Sequence, residues 1–154
     1  MLIAKRLLGI DYGMRRLGLA LSDANQLIAS ALPLLQAEAK MEQTCVKLLL
    51  LVTELEKQYQ CVIEGIIIGM PLMMNGRKGV IADEVNAFVQ QLSQKTTIKI
   101  LTWDERLTTV QAERSLREGH MSRKKRSKVV DGVSAVLILQ NYLDFLYLQK
   151  INDL

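Results

Sequence analysis

The chain has 154 residues, of which 49% are hydrophobic, so it can bury a core as one domain, which we predict over residues 1–150. Its formal net charge of +4 permits a polyanionic partner without requiring one. A single histidine, His120, argues against a histidine-rich zinc site or a serine-histidine triad. The longest apolar run, Leu48 to Val52, is too short to cross a bilayer, which predicts a cytoplasmic protein without membrane contact.

Strands are predicted in the first part of the chain. Ile3 to Tyr12 and Arg16 to Ser22 are apolar runs on either side of Gly13. Leu27 to Leu35 is a further extended stretch, and it follows the turn residues Asp23 to Asn25. These three runs predict an antiparallel meander.

Helices and strands alternate after the meander. Glu38 to Tyr59 lacks glycine and proline and mixes apolar with charged residues, as an amphipathic helix does. Val62 to Met70 contains three consecutive isoleucines, a pattern typical of a strand buried on both faces. The remaining predictions are a helix over Val80 to Leu92, a strand over Thr97 to Trp103, a helix from Thr108 to Gly119 and an apolar helix over Val129 to Leu148.

The order of the main elements, β-β-β-α-β-α-β-α, predicts the fold class. A meander followed by crossover units favours an α/β domain with a mixed five-stranded sheet and helices on both faces. This is the order of a ribonuclease H domain.

Acidic residues stand near the ends of several predicted elements. Asp11 ends the first strand, where ligands gather in open α/β sheets, although an aspartate there can also simply begin a turn. Asp104 and Glu105 follow the last strand, and neighbours in a strand point to opposite faces, so both are not expected to serve one site equally. Asp131 stands near the start of the last helix, where the helix dipole would also favour an acid in the first turn.

Five separated strings occur in order along nearly the whole chain. They are Gly9-Ile10-Asp11-Tyr12-Gly13-Met14-Arg15-Arg16-Leu17-Gly18-Leu19-Ala20, Gly69-Met70-Pro71-Leu72, Asn75-Gly76 with Gly79, Asp104-Glu105-Arg106-Leu107-Thr108-Thr109 and Lys128-Val129-Val130-Asp131. Together they resemble the YqgF family of bacteria, candidate Holliday junction resolvases or pre-16S ribosomal RNA nucleases. The resemblance implies a ribonuclease H-like fold, a cytoplasmic location and processing of the 5′ end of 16S ribosomal RNA, on pre-16S rRNA or the small ribosomal subunit precursor.

The resemblance further implies that Asp11, Glu105 and Asp131 are the catalytic acids and the metal ligands. Carboxylates with substrate phosphate oxygens suit Mg²⁺, with Mn²⁺ as the other candidate, because such hard cations prefer oxygen ligands. Two such ions can promote an in-line displacement at phosphorus. Met70, Met73 and Asn75 depart from the family pattern, but these departures do not affect any of the three acids.

Basic residues close to these acids are expected to contact substrate phosphates. Five of the seven residues from Ser122 to Lys128 are basic and stand just before Asp131, although such a run is often only a solvated loop. The predicted substrate-binding residues are Arg15, Arg16, Arg77, Lys78, Arg106, Arg123, Lys124, Lys125, Arg126 and Lys128.

Three other functions stay open from the sequence. A Holliday junction resolvase would cut branched DNA with the same chemistry. The protein could be a monomer or a homodimer, and a homodimer with paired sites would favour the resolvase function. Asp11-Tyr12-Gly13 followed by Gly18 also resembles the first phosphate loop of actin-like and sugar-kinase ATPases, which need two domains where this chain has room for one. The third alternative is a module that binds ribosomal RNA without cutting it.

Overall fold

A computed structural model describes residues 2–71, 79–104 and 123–153, with the backbone alone for 123–131. Its elements, in chain order, are β1 Ala4–Asp11, β2 Arg16–Ser22, β3 Ala29–Gln36, α1 Met41–Tyr59, β4 Cys61–Met70, α2 Val80–Ser93, β5 Lys99–Asp104 and α3 Arg123–Asn152. The helix predicted from Thr108 to Gly119 lies outside the described residues. Within them, no helix is long and apolar enough to cross a membrane.

The strands form one five-stranded sheet in the order β3-β2-β1-β4-β5. β1 pairs with β2, and β2 with β3, in antiparallel fashion, which confirms the predicted meander. β4 lies parallel to β1 and to β5. The sheet is therefore mixed, as predicted, and β1 is its central strand.

The pleat of the sheet divides the core into two layers. Leu8 and Ile10 of β1 pack with α1 and α2 on one face, whereas Leu7 belongs to the cluster under α3 on the other face. In β4, Ile66 and Ile68 face α1 and α2, and Ile67 faces α3, with each at most 1% exposed. The isoleucine run is thus buried on both faces, as predicted, because successive side chains alternate.

The first helix begins later than the sequence pattern predicts. Its buried stripe contains Cys45, Leu48, Val52 and Leu55, spaced three or four residues apart as an amphipathic helix requires. The predicted start at Glu38 is wrong by three residues, because Lys40 still has an extended backbone with φ −106° and ψ 134°.

The last helix begins earlier than predicted. α3 includes the basic run from Arg123 to Lys128, whereas the apolar pattern predicted a start at Val129. The interpretation of this run as a loop is therefore wrong. Lysine and arginine are good helix formers, so a basic run lengthens a helix without changing its apolar pattern.

Gln140 ties α3 to the beginning of β3. Its side-chain oxygen accepts a hydrogen bond from the backbone N–H of Ala29 at 2.9 Å, and its side-chain nitrogen donates to the carbonyl of Leu27 at 2.8 Å. The same nitrogen donates to Asp144 at 3.0 Å. One amide therefore satisfies two backbone groups at a strand end and orients the helix over the sheet.

We predict that Gln140→Ala lowers the free energy of unfolding by about 1–3 kcal/mol, because two backbone groups lose their partner. Chemical denaturation would measure the change. Gln149→Ala is the matched control, since Gln149 is exposed on the same helix and should alter stability by less than about 0.5 kcal/mol. Equal effects of the two substitutions would contradict the proposed role of Gln140.

Candidate functional site

Asp11 lies at the carboxyl end of the central strand. It is the last residue of β1, is half-buried, and pairs in register with Gly18 of β2. Because side chains alternate along a strand, Asp11 projects to the same face as Leu7 and Gly9, which is the face covered by α3.

Helix α3 packs closely against β1 at Gly9. A Cβ atom on Gly9 would lie 2.7 Å from the Cβ of Leu139, closer than real Cβ atoms come, and 3.2 Å from the carbonyl oxygen of Ala135, which is tighter than most real contacts. Gln140, further along α3, reaches the start of β3, which across β2 is level with Leu7 of β1 and thus lies before Gly9 along that strand. The helix therefore runs antiparallel to β1, and the residues before Ala135 lie toward the end of the strand that carries Asp11.

The spacing of buried residues along α3 predicts that position 131 lies near the end of β1. Ala135, Leu139 and Leu143 are buried at four-residue spacing, and Asp131 occupies the preceding position of the same stripe. Four helical residues advance about 6 Å and two strand residues about 6.6–7 Å, so the step from Ala135 to Asp131 matches the step from Gly9 to Asp11. Asp131 is also the ninth residue of α3, counted from Arg123, so the interpretation that places it in the first turn is wrong.

Asp104 ends β5 at the same edge of the sheet but faces the other side. It pairs in register with Met70, one residue beyond the pair of Gly69 and Trp103. Trp103 packs with the α3 cluster, so alternation directs Asp104 toward the face of α1 and α2. Asp104 and Asp11 therefore do not project to the same face.

Glu105 lies outside the described residues, together with Arg77, Lys78, Arg106 and His120. Among the residues whose side chains are described, no group of three histidine, cysteine, aspartate or glutamate residues could hold a metal ion. Of the three predicted acids, the structure describes the side chain of Asp11 and the backbone of Asp131, and the step along α3 predicts that both lie at the same end of the sheet.

Tyr12 anchors the chain just after Asp11, a role the sequence did not predict. Its hydroxyl donates to Oε2 of Glu84 at 3.4 Å, and its ring packs on Phe88 with 4.9 Å between centroids. Burial, and then the negative charge of Glu84 and the hydrogen bond to it, raise the pKa of Tyr12, so the phenol keeps its proton near neutral pH. Successive residues face opposite sides of the sheet, so Asp11 faces α3 and Tyr12 faces α2. This alternation is the sequence signal that could have predicted the role of Tyr12.

A tight turn places two arginines beside Asp11. A Cβ on Gly13 would lie 2.6 Å from the carbonyl oxygen of Arg16, so only glycine fits without a shift. The carbonyl of Arg15 accepts a hydrogen bond from the N–H of Ala37 at 2.9 Å. An open cleft of about 550 Å³ results, lined by Asp11, Tyr12, Gly13, Met14, Arg15, Arg16, Gly18 and Ile81.

The other predicted basic residues of the described part lie at the beginning of α3. Arg123 to Lys128 form its first two turns, earlier in the helix than Asp131. Since α3 runs opposite to β1, these turns extend past the carboxyl edge of the sheet, on the side where Asp11 lies.

Comparison with known proteins finds relatives over most of the chain. The sequence profile of the family described as RuvX, Holliday junction resolvase, matches residues 5–145. A protein of Protochlamydia amoebophila, named as a candidate pre-16S rRNA nuclease, is 60% identical over 139 residues, covering 90% of this chain and 93% of its own. A protein of Ruminiclostridium cellulolyticum with the same name is 39% identical over 139 residues, covering 90% and 94%.

Solved structures with a similar fold are distant in sequence. RuvC of T. thermophilus in complex with a Holliday junction substrate has a TM-score of 0.50 at 15% identity, covering 87% of this chain and 91% of its own. The Holliday junction resolvase of fowlpox virus has a TM-score of 0.50 at 9% identity, covering 90% and 98%. This likeness concerns the fold alone, and it confirms the predicted ribonuclease H-like class.

We predict that Gly9→Ala destabilises the protein by about 1–3 kcal/mol, because the added methyl group overpacks the contact with Leu139 and displaces α3. Gly132→Ala is the matched control on α3, since no described atom lies within 4 Å of a Cβ there. Alanine should stabilise that helix position by up to about 1 kcal/mol. Thermal and chemical unfolding would measure both, and a stabilising Gly9→Ala would contradict the close contact.

Proposed function

The chain belongs to the RuvX family of Holliday junction resolvases, and on that basis we propose that it is a metal-dependent nuclease hydrolysing phosphodiester bonds of nucleic acid. What supports this proposal is the antiparallel packing of α3 on β1 at Gly9, since equal steps along the helix and the strand would bring Asp131 near Asp11. Carboxylates gathered at this edge, with cations beside them, suit a phosphate substrate.

The acids predicted for this edge would suit a divalent cation. Carboxylate oxygens are the ligands that Mg²⁺ and Mn²⁺ prefer, and the cleft beside Asp11 is open to a phosphate group. Asp11, Glu105 and Asp131 would hold the ion. A bound cation of this kind supplies Lewis-acid stabilisation of the phosphate and a more acidic water at neutral pH.

The protein's own residues would orient the substrate around this centre. Register in β1 and the bond from Tyr12 to Glu84 fix the position of Asp11. Arg15 and Arg16 on the adjacent turn would bind phosphates flanking the bond that is cut.

The start of α3 would extend this track of positive charge. Five of the first six described residues of the helix are basic, and the first turn of the helix has no acidic residue. Cations at a helix N-terminus oppose the helix dipole, so this arrangement is unfavourable within the protein and is offset when a polyanion binds. The expected contacts are from Arg123, Lys124, Lys125, Arg126 and Lys128, with Arg77, Lys78 and Arg106 as further predicted contributors.

We further propose that the physiological substrate is precursor 16S ribosomal RNA in the cytoplasm, cut near its 5′ end. The names of the two relatives support this substrate, since each matches over nine tenths of this chain. Branched DNA is the second candidate, supported by the family's description and by the fold likeness to RuvC. Incubation with a 16S precursor RNA and with a four-way DNA junction, at equal salt, distinguishes the two.

We predict that cleavage requires Mg²⁺ or Mn²⁺ and that Asp11→Asn, while folded, loses about a thousandfold in rate, equivalent to about 4 kcal/mol. Calorimetric titration of Mg²⁺ gives a second readout, because the amide is a poorer ligand and should weaken binding. Glu54→Gln on α1, an exposed and distant carboxylate, is the control and should change neither. Full cleavage in chelator would sink the metal-dependent proposal.

The neighbours Asp104 and Glu105 offer the sharpest test of the site. Asp104 is on the face opposite Asp11. If the chain stays extended for one residue beyond β5, Glu105 would face α3. We therefore predict that Glu105→Gln abolishes cleavage and that Asp104→Asn retains most of it. Single-turnover rates of both variants decide the assignment, and an inactive Asp104→Asn beside an active Glu105→Gln would reverse it.

A further inference from the structure

The cleft beside Asp11 has apolar walls as well as charged ones. Met14 stands in the turn between β1 and β2, and Ile81 is the second residue of α2. They are 54% and 40% exposed, and both line the cleft. Single exposed apolar side chains are ordinary, but two that border one cavity from different elements form a surface suited to an apolar group.

The turn that carries Met14 is held on both sides. Gly13 closes against the carbonyl of Arg16, the carbonyl of Arg15 accepts from Ala37, and Tyr12 is bonded to Glu84. A wall that is already ordered loses little conformational freedom when a ligand covers it.

The cleft also contains a positively charged side chain, that of Arg15. Arg15 is exposed, and no described residue forms a hydrogen bond or ion pair with its guanidinium. Its planar group suits a phosphate. A ligand that matches the apolar side chains and the cation therefore has a flat apolar part joined to an anionic part. A nucleotide has this chemistry.

We propose that this cleft is a subsite for one unpaired nucleotide next to the bond that is cut, with its base against Met14 and Ile81 and its phosphate at Arg15. The inference rests on the proposed nuclease function. The volume of about 550 Å³ lies within the usual size of ligand sites, roughly 300–1,000 Å³.

The unpaired state follows from the geometry of stacking. A base inside a duplex has both faces covered by its neighbours, whereas an unpaired base can present a face to a side chain. The polarizable thioether of Met14 interacts favourably with aromatic rings, and every base has such a ring. The subsite therefore selects for single-stranded structure and tolerates different bases.

The test combines abasic substitution with three protein variants. Cleavage of a single-stranded RNA in Mg²⁺ is compared with cleavage of copies that lack one base, scanned along the positions flanking the cut. For the parent protein, loss of one particular base should lower kcat/KM by about 5- to 150-fold, the range expected for one stacked base. Met14→Ser and Ile81→Ser should lower kcat/KM on the intact RNA but show little further loss on the abasic copy. Leu50→Ser, with an apolar side chain 62% exposed on α1, should keep the full base effect.

A binding measurement separates failure of the subsite from failure of the nuclease. The same RNA with 2-aminopurine at the sensitive position, or next to the cut where cleavage is absent, is titrated in chelator. A fluorescence change with the parent and Leu50→Ser that is lost in Met14→Ser supports the subsite even where no cleavage occurs. Equal fluorescence changes in all the proteins, or a base effect that is the same in parent and variants, would overturn it and leave the nuclease function standing.

Discussion

The close packing of α3 on the bare backbone of Gly9 determines the geometry of the candidate site. With no side chain at this position, Leu139 and Ala135 approach β1 closely enough that even a single Cβ atom would collide. Because two residues of strand and four of helix advance by nearly the same length, this contact predicts that the antiparallel helix and strand stay aligned as far as Asp131 and Asp11. The site therefore depends on a contact between apolar groups that takes no part in its chemistry.

At the end of β1, one face of the sheet carries the acid Asp11 and the other face carries the anchoring side chain of Tyr12. Asp11 belongs to the face of α3, while its neighbour Tyr12 is fixed on the other face by Phe88 and Glu84. One residue thus provides the carboxylate of the proposed site, and the next one provides the anchor. The pleat has the same effect at β5, where Asp104 faces away from Asp11. A shift in register by one residue would exchange these assignments.

The distribution of charge matters more than the modest net charge of +4. Arg15 and Arg16 on the β1–β2 turn line one cleft with Asp11, and the basic run that begins α3 is predicted to extend the same edge of the sheet. Such an edge attracts a polyanion and also moderates the repulsion among acids that share a site. Its affinity for nucleic acid should therefore depend strongly on salt concentration.

Much of the fold could be predicted from the sequence, because the responsible signals are local. The isoleucine run of β4, the turns of the meander and the apolar stripes of the helices each depend on residues a few positions apart. Predictions failed at helix starts, where the backbone at Lys40 and the basic run at Arg123 depend on more than hydrophobic pattern. The separated motifs were also enough to place the chain in its family.

What the sequence by itself determined is therefore the order of the strands and helices along the chain, the acid at the end of β1 and the family. Tertiary structure alone decided which faces those residues take. The partners of Tyr12 and of Gln140 are 72 and 111 residues away along the chain. No local pattern encodes such pairs, because they arise only when the register of the sheet and the crossing of α3 bring distant segments together.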